Sequence, residues 1–245
     1  MNTIIKSILQ KLSRIIYYLT PYELKENTLI RPSGVFKLLT DEKDKQTFEI
    51  LSEEIKKSIK FDDLWKIREY AINIALKNEE EKYQNKELYY LEFGVFKGRG
   101  SNFFANYVKK IYGFDSFEGL SEDWTGTLPK GSFNLNKKIP RLKKNVVPIK
   151  GLVSDTLVNF LNKYNPVINF VHMDLDLYEP TKFTLEKIKP FLSDGAIILF
   201  DELYNYVNWL EGEYKALNEV FDKEEYTFKA FRINCGQAII QVNQN

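Results

Sequence analysis

From residue 88 onward the apolar positions fall in short runs separated by polar stretches with helical spacing. The runs at 88–93, 110–114, 146–150, 168–174 and 196–200 are continuous rather than alternating, which predicts strands covered on both faces. Between them, 102–108, 156–164 and 181–192 carry apolar residues at helical spacing, and Ser193-Asp194-Gly195 reads as a turn closing the last helix. A further helix is predicted at about 211–221. Residues 227–233 and 237–242, joined by Asn234-Cys235-Gly236, then read as a hairpin. Strands alternating with helices imply a parallel sheet with right-handed crossovers. The predicted fold is α/β: a doubly wound, mostly parallel, seven-stranded, Rossmann-like sheet that ends in a β-hairpin.

The first 86 residues show a different pattern. Ile4, Ile5, Ile8, Leu9, Leu12, Ile15, Ile16 and Leu19 share one face of a predicted helix that ends before Pro21. Lys6, Lys11 and Arg14 are its charges. Packing on the protein body or a second subunit, giving a homodimer, is favoured over contact of residues 1–20 with a membrane surface. A helical stretch from Thr40-Asp41 through Lys60 follows. Asp62 then caps a second helix, whose face is Leu64, Ile67, Tyr70, Ala71, Ile74 and Ala75. Residues 1–86 are read as a helical N-terminal extension or lid, and 87–245 as the main domain.

Composition narrows the class. The 245 residues carry a net charge of +1, which argues against a general polyanion-binding role and so against a nucleic-acid partner. One cysteine excludes an internal disulfide and suits a reducing compartment. The N-terminal run is interrupted by Lys6, Lys11 and Arg14 and lacks a signal-peptide core, so a cytoplasmic location is expected. A single histidine, His172, limits zinc sites and histidine-based catalysis, and is expected to be a buried, hydrogen-bonded strand residue.

The chemistry is expected at strand ends, since ligands of open α/β sheets bind beyond the carboxyl ends of the strands. The stretch Glu92-Phe93-Gly94-Val95-Phe96-Lys97-Gly98-Arg99-Gly100-Ser101 reads as a strand end, a glycine loop and a helix start capped by Ser101. Such a loop lets a ligand approach the backbone and meet unpaired N–H groups. Its spacing is neither the dinucleotide G-x-G-x-x-G nor a P-loop. Asp115 ends the second strand, where an acid can accept ribose hydroxyls. Asp155 follows the third strand and either meets an adenine amino group or caps a helix. Asp174, Asp201 and Glu202 end the fourth and fifth strands. Carboxylates so placed repel one another unless a cation lies between them, and oxygen ligands favour Mg²⁺ or a similar hard ion. The long polar stretch 116–145 is read as part of a substrate lid.

The segments Glu-Phe-Gly-Val-Phe-Lys-Gly at 92–98, Asp-Ser-Phe-Glu-Gly-Leu at 115–120, Asp-Thr-Leu at 155–157, His-Met-Asp-Leu-Asp-Leu-Tyr-Glu-Pro-Thr at 172–181 and Phe-Asp-Glu-Leu-Tyr at 200–204 come in a telling order. In that order the chain resembles the macrocin O-methyltransferase family of class I S-adenosylmethionine-dependent methyltransferases, over about residues 88–242. The resemblance implies S-adenosyl-L-methionine as cofactor, on Glu92, Gly94, Phe96, Gly98, Ser101, Asp115, Ser116, Asp155 and Asp174. It implies a divalent metal such as Mg²⁺ on Asp174, Asp201 and Glu202, and a sugar-containing small molecule as acceptor. Members of that family are thought to use a downstream histidine as base, and this chain has none. Asp174 or Asp176 is left to take the proton. A nicotinamide-dependent oxidoreductase, and a binding protein without turnover, are the alternatives that the residues leave open.

Overall fold

The structure is a computed structural model and describes residues 35–125, 128–233 and 235–243. The helix expected at 4–19 lies outside the described residues. The chain divides into two compact units, Met1–Glu42 and Lys43–Asn245, and the site discussed below belongs to the second.

Helix α1 spans Val35–Lys57, strand β1 Ile59–Phe61 and helix α2 Leu64–Lys82. Then come β2 Leu88–Phe93, α3 Arg99–Phe104, β3 Ile111–Asp115, β4 Val146–Lys150, α4 Val153–Tyr164 and β5 Val167–Met173. The chain closes with α5 Tyr178–Ile188, β6 Leu192–Phe200, α6 Glu213–Val220, β7 Tyr226–Arg232 and β8 Ala238–Val242. The strand order is β1-β7-β8-β6-β5-β2-β3-β4. Every pairing is parallel except the two that β8 makes with β6 and β7. This is the expected doubly wound sheet with a closing hairpin.

Among the described residues the sheet has eight strands rather than seven. The extra one, β1, lies where helix was expected through Lys60. Its three residues pair with Ala230–Arg232 of β7, and Ser58 Oγ donates to the Phe228 carbonyl at 3.2 Å. A three-residue edge strand carries too few positions for its period to be read from sequence. Two smaller corrections have similar causes. Asp63, not Asp62, caps α2, accepting from the N–H groups of Trp65 and Lys66 at 2.8 and 2.9 Å. Ser193-Asp194-Gly195 lies inside β6 as a bulge, the pairing jumping from Ile168↔Leu192 to Phe170↔Ile197. Buried Asn78 of α2 holds that bulge: its side chain donates to the Asp194 carbonyl at 3.1 Å and to Asn169 Oδ1 at 2.8 Å.

Alternate strand residues feed two cores, one on each face. Leu91, Phe93, Val171, Met173, Ile198 and Phe200 meet Leu157, Phe160, Leu185, Ile188, Ala216 and Leu217 of α4, α5 and α6. Tyr90, Phe170, Ile197 and Leu199 meet Ile67, Ala71, Ile72 and Ala75 of α2 and Phe104 of α3. The buried face of α2 is turned from the expected one: Ile72 replaces Ile74, and Arg68 is buried with it. Helix α2 therefore packs directly on the sheet. Among the described residues, no helix is long and apolar enough to cross a membrane.

Candidate active site

Because β6, β5, β2, β3 and β4 run parallel, their carboxyl ends line up along one edge. Strand β2 is flanked by β3 on one side and β5 on the other, and this reversal of winding opens a crevice. A cavity of about 340 Å³ lies there, within the ~300–1,000 Å³ of small-molecule sites. The chain approaches itself closely at this point. The Gly94 N–H donates to the Phe114 carbonyl at 2.9 Å and the Asp174 N–H to the Phe93 carbonyl at 2.9 Å. A Cβ on Gly94 would lie 1.7 Å from the Asp174 carbonyl oxygen, and Gly94 has φ +88°. Only glycine fits.

Five of the nine expected cofactor residues line the cavity: Gly94, Phe96, Asp115, Ser116 and Asp174. Asp115 Oδ2 accepts from the Val95 and Phe96 N–H groups at 2.8 and 2.7 Å, and Oδ1 accepts from the Phe117 N–H at 2.6 Å. It thus ties the glycine loop to the start of the 116–145 segment. Phe96 meets Phe133 of that segment edge-on at 5.3 Å, and Trp124 packs on Tyr206 at 5.5 Å. Backbone hydrogen bonds between Leu120 and Ser132, Gly131 and Leu120, and Leu135 and Phe117 fold the segment over the cavity.

Glu92, Gly98, Ser101 and Asp155 do not line the cavity. Gly98 is the N-cap of α3 and adopts a left-handed conformation, so Ser101 does not cap that helix. The Ser101 hydroxyl instead donates to Glu92 Oε2, and both residues are buried. Glu92 lies on the α2 side of the sheet beneath Gly100, where a Cβ would come within 2.1 Å of Oε1. Asp155 is exposed in the first turn of α4, accepting from Ser154 Oγ at 3.1 Å, while Gly151, Leu152 and Val153 reach the cavity.

The other end of the cavity is acidic. Asp174, Asp176, Asp201 and Glu202 all line it. Their ligand atoms fall into two compact groups that share Asp174: Asp174 with Asp176 and Glu202, and Asp174 with His172 and Asp201. Asp176 stands in a left-handed turn, φ +63°, directly after β5. Burial first, and then the Asp201 charge, push its carboxyl up to about 7. Burial and the neighbouring acids likewise raise Asp174 and Glu202 well above the usual carboxylate range.

Sequence reasoning missed Glu213. It is fully buried at the start of α6, among the described residues neither of its oxygens has a side-chain donor, and its carboxyl is raised well above the usual range by burial and by Asp176, Asp174 and Asp201. One oxygen of Glu202 is also unpartnered among the described residues. Buried carboxylate oxygens without donors call for a proton or a cation. The oxygen-rich donor set therefore fits a hard divalent ion.

Asp201 differs from its neighbours. Burial opposes its ionisation, but hydrogen bonding from His172 and the Arg68 charge hold its carboxyl far below the usual range. Arg68 Nη2 donates to Asp201 Oδ1 at 2.7 Å, and Gln237 Nε2 donates to the same atom. His172 is buried and bridges the two acids of this face, with Nδ1 2.9 Å from Glu92 Oε1 and Nε2 3.3 Å from Asp201 Oδ1. Burial and Arg68 work against its charge, yet the hydrogen bonds to Asp201 and Glu92 carry it up to about 9. Arg68 and Gln237 could have been suspected only as polar residues on otherwise apolar faces.

No curated protein matches the chain by sequence. Solved structures share its fold. The calicheamicin methyltransferase CalS11 superposes with a TM-score of 0.57 at 21% identity, covering 86% of this chain and 94% of that one. An apo structure of CalS11, a TDP-rhamnose 3'-O-methyltransferase, gives 0.53 at 22% identity, covering 86% and 96%. The O-methyltransferase NovP gives 0.50 at 20% identity, covering 73% and 80%. Residues 91–203 match the model of a family described as a methyltransferase domain. That match runs from β2 past the end of β6, the part of the chain that builds the cavity, and this stretch is similar to a methyltransferase domain.

Proposed function

We propose that this protein is a class I S-adenosylmethionine-dependent methyltransferase that acts on a hydroxyl oxygen of a sugar or glycosylated small molecule, assisted by Mg²⁺ or a similar divalent ion. The observation that carries the reading is a cavity with two unlike ends: backbone groups and Asp115 at β2–β4, and clustered carboxylates at β5–β6. CalS11 and NovP, which share the fold, are O-methyltransferases, and CalS11 acts on a sugar nucleotide.

S-adenosylmethionine, when bound, supplies an electrophilic methyl group. Asp115, Ser116 and the loop Gly94–Phe96 would hold it, with Gly151–Val153 beside its far end. Asp174, Asp201 and Glu202 would hold the metal, which would lower the pKa of an acceptor hydroxyl and fix its direction. The 116–145 segment excludes water and positions the acceptor through Trp124 and Phe133. Asp176 and Asp174 are the groups placed to receive the hydroxyl proton. Without a metal, burial and the Asp201 charge raise the Asp176 carboxyl to about 7.

The test is methyl transfer from radiolabelled S-adenosylmethionine to a panel of nucleoside diphosphate sugars and glycosides, with Mg²⁺ and with EDTA. Incorporation into vicinal-diol sugars that EDTA abolishes is expected. Full incorporation in EDTA would refute the metal, and labelling of amines but no hydroxyl would refute the acceptor class.

A further inference from the structure

Three donors converge on one oxygen of Asp201. Arg68 of α2, Gln237 just before β8 and His172 of β5 all reach Oδ1, and none of them goes to Oδ2. Asp201 nevertheless lines the cavity, and its side chain keeps 16% exposure while those of Arg68 and His172 keep 7% and none. Its backbone is held as well, the Asp201 N–H donating to the Met173 carbonyl at 2.9 Å.

The donors are themselves fixed. Arg68 rides on a helix whose neighbours Ile67, Ala71 and Ile72 are completely buried, and its guanidinium sits 5.4 Å from the Trp65 ring centroid. His172 is bonded on its far side to Glu92, which also takes the Ser101 hydroxyl beneath the glycine loop. A buried polar chain thus runs Ser101–Glu92–His172–Asp201–Arg68 on the face of the sheet opposite α4, α5 and α6. Arg68 and Gln237 lie on either side, in sequence, of the segment that the methyltransferase-domain model matches.

We propose that Arg68, with Gln237 and His172, is a positioning residue that clamps Asp201 by one oxygen and leaves the other to serve the cavity. The proposal rests on the reading that a divalent cation binds among the acids. A carboxylate free to rotate would spread over several rotamers; one gripped by three donors presents a single direction. The device also makes α2 part of the site, although it never touches the ligand.

The sign of one measurement separates this from mere charge balance. Arg68 is a cation close to a proposed cation site. If it acted only through charge, removing it would tighten metal binding. If it acts as a clamp, removing it loosens binding. Mn²⁺, titrated into the full chain and followed by electron paramagnetic resonance, is the probe, with S-adenosylhomocysteine affinity by calorimetry as the check on folding. Arg68→Met is expected to weaken Mn²⁺ at least tenfold and to change S-adenosylhomocysteine affinity less than threefold. Arg68→Lys should recover part of the loss. Gln237→Leu removes one neutral donor with no change of charge and should weaken Mn²⁺ about threefold, which keeps the test open if Arg68→Met does not fold. Unchanged or tighter Mn²⁺ binding in Arg68→Met, or in Gln237→Leu where the former is not soluble, would overturn the clamp alone. No Mn²⁺ binding by the unaltered protein would overturn the cation reading and, with it, the clamp.

Discussion

Replacing Asp115 separates the loop contacts that its carboxylate makes from the ribose contact proposed for it. Its oxygens already accept three backbone N–H groups, at 2.6, 2.7 and 2.8 Å. An ionised carboxylate has roughly four acceptor positions, so about one is left for a ribose hydroxyl rather than a free pair. Asp115→Ala should then lose one charge-assisted bond to the ligand, worth about 1.5–3 kcal/mol, which is a ten- to hundredfold weaker S-adenosylhomocysteine complex. The three orphaned N–H groups are only partly buried, so water recovers some of their bonding. A loss of about 1 kcal/mol each gives about 3 kcal/mol and a fall in Tm of roughly 6–12 °C. Weaker binding could arise from the loosened loop instead of the missing bond. A cycle with 2',3'-dideoxy-S-adenosylhomocysteine distinguishes them: the analogue should bind the wild-type protein weakly, and Asp115→Ala should not weaken it much further. Calorimetry with both ligands on both proteins gives the coupling. If the wild-type protein binds the analogue as tightly as S-adenosylhomocysteine, or if the two losses simply add, Asp115 does not touch the ribose and acts on the loop alone.

Three other outcomes follow from the geometry. Gly94→Ala places a Cβ 1.7 Å from the Asp174 carbonyl oxygen at φ +88°, and should cost at least about 3 kcal/mol in urea unfolding; equal stability would show that the β2–β5 crossing is looser than described. In EDTA, stability should fall as pH rises from 5 to 9. The folded values of Asp174, Asp176, Glu202 and Glu213 lie above their unfolded ones, so the stability they contribute is full below about pH 4 and drains as pH rises through about 7, the value for Asp176. His172 adds a contribution that is full below 6.5 and lost as pH rises through about 9, whereas depressed Asp201 acts only below its ordinary 3.8. Melting in EDTA and in Mg²⁺ across this range checks it, and a Tm that rises with pH in EDTA, or is unmoved by Mg²⁺ at pH 8, would refute it. Glu213→Gln keeps the volume and removes the buried charge, so it should raise the EDTA melting temperature at pH 8 and leave it nearly unchanged at pH 5; a fall at pH 8 would mean that the charge is compensated in the fold.

The sheet was legible because its strands are buried on both faces and therefore read as unbroken apolar runs. Runs such as Val167–Met173 need no knowledge of their neighbours, and the hairpin follows from the turn at Cys235-Gly236. Strand β1 was not legible, because three residues at an edge owe their conformation to β7 and not to their own pattern. The strand-end acids were legible as a group, since parallel strands must bring their carboxyl ends to one edge. What each acid does was not. Glu92 and Asp115 both end or follow strands, yet Glu92 turns to the α2 face and Asp115 to the cavity. Residues on one strand alternate faces, and the face that carries the ligand is decided by where the helices and the 116–145 segment settle. Ser101 illustrates the limit: its sequence position suits a cap, but a left-handed Gly98 starts the helix earlier and leaves the hydroxyl to Glu92.

The same alternation explains how one edge can hold acids in opposite states. Asp174 and Asp201 sit at the ends of neighbouring parallel strands, where an uncompensated pair would repel. On the α2 side, Arg68, Gln237 and His172 supply enough donors to keep Asp201 ionised. On the cavity side, Asp174, Asp176, Glu202 and Glu213 have too few, and burial raises all four. The fold thus stores unmet demand for positive charge on one side of the sheet only, next to the end of β5 where Gly94 lets β2 come within contact of Asp174. A proton, a metal ion or the sulfonium of the cofactor can each meet part of that demand. A neutral acceptor hydroxyl cannot, but it can surrender its proton to the site, and the demand for positive charge then favours the transfer. The arrangement that makes the unliganded site unstable at neutral pH is therefore the one that would assist methyl transfer to oxygen.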